Sequence, residues 1–479
     1  REDITVLPRT SNLRKDYSRG DIFMEIIRSL NPILLSIIEL VIKNLSGKMN
    51  FSEFQDQLAD KLNETGREIT RQVLEEMDRQ IKEKRAERRG WQIWRRGDRK
   101  EIVTRFGPVT YHRTYYRHKD TKKYAYLVDE QVGYTPHLRV DHHVKGELVA
   151  CAADLSYRKS GQVIGEQCGK VSISGQTVKR AVDTFENPTL PKRERKRVAT
   201  LYIEADEDHV ACQNGRSFEV RLVYIHEGWE ADGKRRKLAQ PLYQSCVDEE
   251  AHIFWERVWE EADKLYDLEK VEKIYLMGDG SAWIQSAKEV FPQAEFVLDR
   301  FHYMRYVRRA VGGAHKQGQL LKNAIRFGHI EKAEAVIREL EKAAVTPSRK
   351  RRILDAWKYI KNNWEAIRAL YRETVSCSVE GHVSHVLSAR LSSRPMGWSK
   401  KGARHMSYVR VSQANGQSVA AQYKLQRQKQ NLPVITIEPK ILEKQRKKLQ
   451  KTREVLNNIP ILQGPKSYLR EALKSLAFV

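Results

Sequence analysis

Apolar side chains recur near every 3.6 residues through the first part of the chain, a period that predicts helices. Ile26, Ile27, Leu30, Leu34, Ile37, Ile38 and Val41 form one stripe. Phe51, Phe54, Leu58 and Leu62 form a second, and Ile69, Val73, Met77 and Ile81 a third. Asn63 and Gly66 between the last two predict a break. The pattern starts at Met24, so residues 1–23 read as a flexible arm or a non-native leader, and 24–89 as a helical region. Residues 90–140 alternate and are rich in Trp, Tyr, Val and Thr, with Gly107–Pro108 as a turn, which predicts a hairpin. There Tyr111, His112, Arg113, Tyr115, Tyr116 and Arg117 interleave aromatics with cations. That mix suits phosphate contact and base stacking, and equally an exposed β-surface.

Residues 141–187 return to helix. A short helix over 156–169 ends in glycine, and a basic one over 170–185 follows, with Ser172 or Ser174 as N-cap and Val178, Ala181 and Val182 on one face. This is the helix-turn-helix layout, with Gln176, Thr177, Lys179 and Arg180 turned outward to DNA; a plain helical hairpin is the alternative. Residues 188–199 are a proline-bounded basic linker.

A strand over 200–212 then reads as core yet carries Glu204, Asp206 and Asp208, all of one parity and so on one face. Buried carboxylates are costly unless offset, most directly by cations. Strands over 218–229 and 240–247, a helix, and a strand leading to Asp279 between two glycines come next; a short helix and a strand ending at Asp299 follow. Ligands of open α/β sheets gather at such carboxyl ends. The order is ribonuclease-H-like over 200–302. Residues 303–376 read as an all-helical insertion, with stripes at Ile330, Ala333, Ile337, Leu340 and at Leu354, Trp357, Ile360, Trp364. The final helix of the core, 377–400, has Glu380 in its first turn, and 401–479 is a basic C-terminal region. The fold class expected is α+β and multidomain: a ribonuclease-H-like mixed α/β catalytic domain with a helical insertion, preceded by helical and helix-turn-helix DNA-binding regions.

Charge sharpens this picture. Lys and Arg number 87 against 62 Asp and Glu, a net +25 over 479 residues, which points to a polyanionic partner. Five cysteines, never spaced C-x-x-C, argue against a disulfide scaffold or a cysteine zinc finger and for a reducing compartment. The most apolar stretch, 31–45, holds Glu39 and Lys43 and falls short of the ~20 residues of a membrane span; a cytoplasmic, nucleoid-associated protein is expected. Three separated acids can hold two divalent cations, Mg²⁺ by preference with Mn²⁺ able to substitute, for phosphodiester hydrolysis and strand transfer. Each residue has a plainer reading. Asp279 is a turn acid, Asp208 replaces Asp206, Glu380 answers only a helix dipole, Asp299 caps the next helix, and His302 is packed in the core.

The motifs YIEADEDHV, IYLMGDGSAWI, FVLDRFH and SVEGHVSHVLSARLSSRPMGWS together resemble bacterial insertion-sequence transposases of the ISLre-two type, a group long filed as an uncharacterised protein family. It is similar in layout to Mutator-type DDE transposases, which carry a helical insertion before the last Glu. The resemblance runs from about Met24 onward. It implies a catalytic and metal-binding triad at Asp206, Asp279 and Glu380, with two ions per site, and Asp299-x-x-His302 as the signature after the second acid. It further implies binding of double-stranded DNA, both terminal inverted repeats and target, by a homodimer or larger homo-oligomer. The basic run 440–453 would track DNA backbone or be a solvated helix face. A ribonuclease-H-like nuclease or resolvase, and a non-catalytic DNA-binding remnant, are the rival readings.

Overall fold

The computed structural model describes residues 19–85, 88–233, 235–373 and 375–428. The basic run 440–453 and the first part of the arm lie outside them. The described residues divide into two compact units, one up to residue 139 and one from residue 140 to 428.

In the first unit, α1 (Arg19–Leu45) begins ahead of Met24 and packs on α2 (Phe51–Glu83). Asn50 caps α2, its side chain accepting from Glu53 N at 2.9 Å. The break expected at Asn63 and Gly66 is absent, because α2 runs through it. Gly66 instead serves packing: a Cβ there would collide with the Phe106 ring, and the Phe106 backbone carbonyl accepts from Arg67 at 2.8 Å. Gly66→Ala should therefore destabilise this unit by about 1–3 kcal/mol, despite alanine's better helix propensity; urea unfolding followed by far-UV circular dichroism checks the sign.

A hairpin of β1 (Trp91–Thr104) and β2 (Gly107–His118) adds the short β3 (Tyr124–Ala125), and α3 (Leu127–Gln131) follows. The core holds Leu74, Ile102, Val109, Tyr111, Val128 and Leu138. Asp78 ties α2 to β2 by accepting from Thr114 N (2.9 Å) and Oγ1 (2.8 Å). Part of the hairpin's aromatic–cation mix is thereby spent inward. Tyr111 and Tyr116 are fully buried, and Arg113 and Lys100 both pair with buried Asp129.

The second unit opens with α4 (His142–Ala152), α5 (Tyr157–Gln167) and α6 (Gly175–Val182). Ser156 and Ser174 cap the last two. The connection 168–174 lies tightly along α5 because Gly161 and Gly165 have no Cβ to meet the carbonyls of Ile173 and Val171.

Next comes a sheet in the order β10-β9-β4-β5-β8. Its members are β4 (Thr200–Ala211), β5 (Ser217–His226), β8 (Leu242–Val247), β9 (Lys273–Gly278) and β10 (Ala294–Leu298). β10, β9 and β4 are parallel, and β5 and β8 continue antiparallel. The second strand is shorter than expected. It ends at His226, and a separate hairpin of β6 (Trp229–Asp232) and β7 (Arg235–Leu238) precedes β8. Leu201, Ile203 and Ala205 of β4 face the main core under α7 (Ala251–Asp263) and α8 (Ala282–Gln285).

After β10 come α9 (Arg300–Val311), α10 (His315–Phe327), α11 (Ile330–Lys342), α12 (Pro347–Asn362) and α13 (Trp364–Arg372), with Ala333, Ile337, Leu340, Ile360 and Trp364 in the same core. Then α14 (Val379–Val383) passes through a π-helical turn, Ser384–Ser388, into α15 (Ala389–Leu391).

Residues 401–428, the described part of the basic C-terminal region, form two packed helices with the last residue before them. α16 (Lys400–Ala414) packs on β8, where the Asn415 side chain brackets the Tyr243 backbone at 2.8 and 3.0 Å. α17 (Val419–Gln428) packs on α4 where Gly146 admits the Ala420 backbone. Among the described residues no helix is long and apolar enough to cross a membrane.

Candidate active site

The strand register puts acids in a row. Val297, Met277 and Glu204 are aligned across β10, β9 and β4. Continued two residues past these last pairs, the same row leads to Asp299, Asp279 and Asp206, the first two just beyond the carboxyl ends of β10 and β9. The Asp299 N–H still donates to Gly278 O at 2.9 Å. Tyr202 and Tyr275, stacked with centroids 5.5 Å apart, show that this row shares one face.

The three acids on this face of β4 have different fates. Glu204 is fully buried and saturated. It accepts from Tyr224 Oη (2.6 Å), Ser378 N (2.6 Å) and Cys377 Sγ (3.2 Å), and pairs with His226 Nε2 (3.0 Å). Burial pushes its carboxyl up, but the His226 bond and charge, with Tyr224 and Ser378, outweigh that and hold it below the usual range. It anchors the start of α14.

Asp206, 6% exposed, keeps one bond from its neighbour, Glu207 N, at 2.9 Å. Burial pushes it up to about 7; that bond and His302 oppose the rise, and the Glu207 and Asp279 charges add to it. Asp208 accepts from Ser392 Oγ at 2.8 Å, while its other oxygen is buried without a hydrogen-bond partner. Burial raises this carboxyl too.

Asp206, His302 and Glu380 converge, with one ligand atom of each within 4.8 Å of the others. Asp279 is not in this compact group. Its Oδ1 accepts from Ser281 N at 2.8 Å across the turn that Gly280 makes at φ +84°, and Tyr359 Oη holds its carbonyl at 2.7 Å. Its charge nonetheless raises both Asp206 and His302.

Asp299 stands before α9 but makes no side-chain cap; its carboxylate binds His302 Nδ1 at 3.0 Å. Burial works against a charged His302 ring, but the Asp299 bond and the Asp206 charge prevail and its pKa is raised. His302 is thus oriented by one acid of the row and faces another, an arrangement in which the D-x-x-H spacing places both side chains on one helical turn. Glu380 is exposed in the first turn of α14.

On α6, Gln176 and Arg180 are exposed. Thr177 is half-buried beside Ser174 Oγ (3.0 Å), and half-buried Lys179 binds Asp183 at 2.5 Å. Two of the four residues read as outward-facing are therefore partly engaged within the fold.

A mixed sheet flanked by helices, with carboxylates and one histidine gathered at its strand ends, defines an α/β protein with a candidate acidic metal centre. The chain belongs to the uncharacterised protein family UPF0236, matching it over residues 44–431. A relative from Caldanaerobacter subterraneus subsp. tengcongensis is 35% identical over 476 residues, 96% of this chain and 98% of the relative. Its name covers eleven loci of that genome. A second relative from the same organism is 36% identical over 460 residues, 92% of this chain and 96% of its own. A protein from Streptococcus gallolyticus is 24% identical over 399 residues, 80% and 87% of the two chains. Many copies in one genome are typical of mobile elements.

Proposed function

We propose that this protein is a DDE-type DNA transposase of a bacterial insertion sequence, with a ribonuclease-H-like catalytic core. The observation that carries the reading is the convergence of Asp206, on the central strand β4, with Glu380 and His302, beside Asp279 at the carboxyl end of the parallel strand β9. The eleven loci of one relative support it.

The donor set fits divalent cations. Among the described residues no Lys or Arg pairs with buried Asp206 and only the His302 charge opposes its rise, so a metal would remove the remaining cost. Asp206, Glu380 and His302 would hold one ion, and Asp279 would share a second with Asp206. Mg²⁺ matches the carboxylates, and the imidazole makes Mn²⁺ an equal or better occupant. Bound cations would supply the charge that activates a water or a DNA 3′-hydroxyl and stabilises the departing oxygen. Asp299 keeps the His302 ring oriented, and Glu204 holds the start of α14 so that Glu380 faces Asp206. Exposed Gln176 and Arg180 suit base edges, and the exposed Leu34, Leu35, Ile42 and Leu45 of α1 suit pairing of two protomers.

The test is a cleavage and strand-transfer assay on a labelled duplex carrying the element's own end, in Mg²⁺ or Mn²⁺. Wild type should nick the end. Asp279→Asn and Glu380→Gln should abolish nicking and leave end binding intact. Tight binding by the wild type without cleavage in either metal would sink the enzymatic reading in favour of a DNA-binding remnant.

A further inference from the structure

Tyr157, Lys179, Arg390, Met396, Trp398 and Ser399 line a pocket of about 280 Å³ whose walls are mainly apolar. Arg390 is its unusual member. It is 6% exposed, yet among the described residues no carboxylate lies within ion-pair distance of it, and Asp154, whose charge acts on it, is held by Arg410. Its Nε donates to Ala152 O at 2.9 Å, Nη1 reaches Met396 Sδ at 3.5 Å, and the guanidinium lies over the rings of Tyr157 (5.4 Å) and Trp398 (5.0 Å). A buried guanidinium without a counter-anion is costly, and an anion entering the pocket would offset that cost.

The surroundings point the same way. Lys179 reaches the pocket while holding Asp183, and Ser399 caps α16, so the positive end of that helix lies at the pocket. A bare anion would leave the apolar walls unused, whereas a nucleotide carries both parts.

The walls are fixed to the candidate active site. Trp398 donates its backbone N–H to Ala211 O (2.9 Å) and its Nε1 to Leu391 O (3.0 Å), which pins it to the end of β4, the strand of Asp206. Arg390 follows Glu380 along one helical run, ~15 Å at the usual rise, the axial length of about four nucleotides.

We propose that this pocket takes one unpaired nucleotide of the DNA on which the protein acts, its phosphate on Arg390 and Lys179 and its base against Met396, Tyr157 and Trp398. The inference rests on the DNA-processing reading above.

Fluorescence anisotropy with the full chain in Ca²⁺ tests it. The probes are a blunt duplex from the element's end, the same duplex with a short single-stranded overhang, and that overhang made abasic. Wild type should bind the intact overhang about tenfold more tightly than the abasic one, the range of one base–aromatic contact. Arg390→Lys should bring the binding of both overhangs down toward that of the blunt duplex, and Met396→Ala, on the half-buried rim, should reduce the preference for the intact base; equal melting temperatures would show that both variants fold. Blunt-duplex binding with no preference between overhangs would overturn the pocket and leave the transposase reading standing. Failure to bind any of the three DNAs would overturn both. An Arg390→Lys variant with unchanged overhang binding but a changed sedimentation mass would assign the pocket to a protein contact instead.

Discussion

Asp206→Asn should raise the melting temperature of the metal-free protein at pH 8 and abolish strand cleavage. The two effects have one cause. Burial holds the Asp206 carboxyl up near 7, against an ordinary aspartate value near 3.9. A group whose folded pKa is raised keeps its proton in the native state after the unfolded chain has lost it. Stability therefore falls as pH rises from about 4 to about 7, and the loss is complete above that window. The gap corresponds to something on the order of 4 kcal/mol. An amide is neutral throughout, so the variant should lack this decline, and the two thermal-stability curves should diverge between pH 4 and 7. Divalent metal should reverse the order, stabilising wild type strongly and the variant little, because binding adds stability only to a chain that holds the ion. Equal melting temperatures at pH 8 without metal would remove Asp206 from the list of strained functional groups. Cleavage by the variant would remove it from the chemistry.

Much of this site was legible in the chain because strands alternate. The parity of Glu204, Asp206 and Asp208 put all three on one face, and the glycines around Asp279 marked a strand end. Choosing among the three required partners far away in sequence. Cys377 and Ser378 occupy Glu204, and Ser392 binds Asp208, which leaves Asp206 held only by the backbone N–H of its own neighbour. No local pattern carries that information. His302 had a local signal, its spacing from Asp299, but the same spacing fits a packed helix. Asp279 was placed correctly at the strand end, yet its side chain turns to Ser281 N and stands outside the tight group.

The errors of fold have a similar origin. Gly66 looked like a break because glycine usually weakens helices, whereas it is there to admit Phe106. Basic side chains along 401–428 hid two packed helices, because Arg404 and Arg410 spend their guanidinium groups on the carbonyls of Val247, Val386 and His385. Arg390 is hidden for the same reason: in sequence it is one more positive charge in a very basic chain.

Glu204→Ala should cost about 3–5 kcal/mol, the usual loss when one partner of a buried pair is removed, and lower the melting temperature by roughly 10 °C. The truncation leaves His226 Nε2, Tyr224 Oη and the Ser378 N–H facing a cavity with no water-exposed alternative. Its pH signature is opposite to that of Asp206. The folded pKa of Glu204 is depressed, so its contribution is fully present above the ordinary glutamate value and is lost as pH falls through the folded one. Wild type should therefore show an acid limb that the variant lacks, while the decline assigned to Asp206 persists in both. Because Ser378 precedes the helix that carries Glu380, the damage should also be local. Amide exchange should accelerate first at residues 378–383, and cleavage should fall more steeply than DNA binding. Restoring the shape with Glu204→Gln should recover part of the stability. If Glu204→Ala melted like wild type with unchanged exchange at α14, the anchor would be dispensable, and the position of Glu380 would have to be set by the packing of Val379 and Val383 alone.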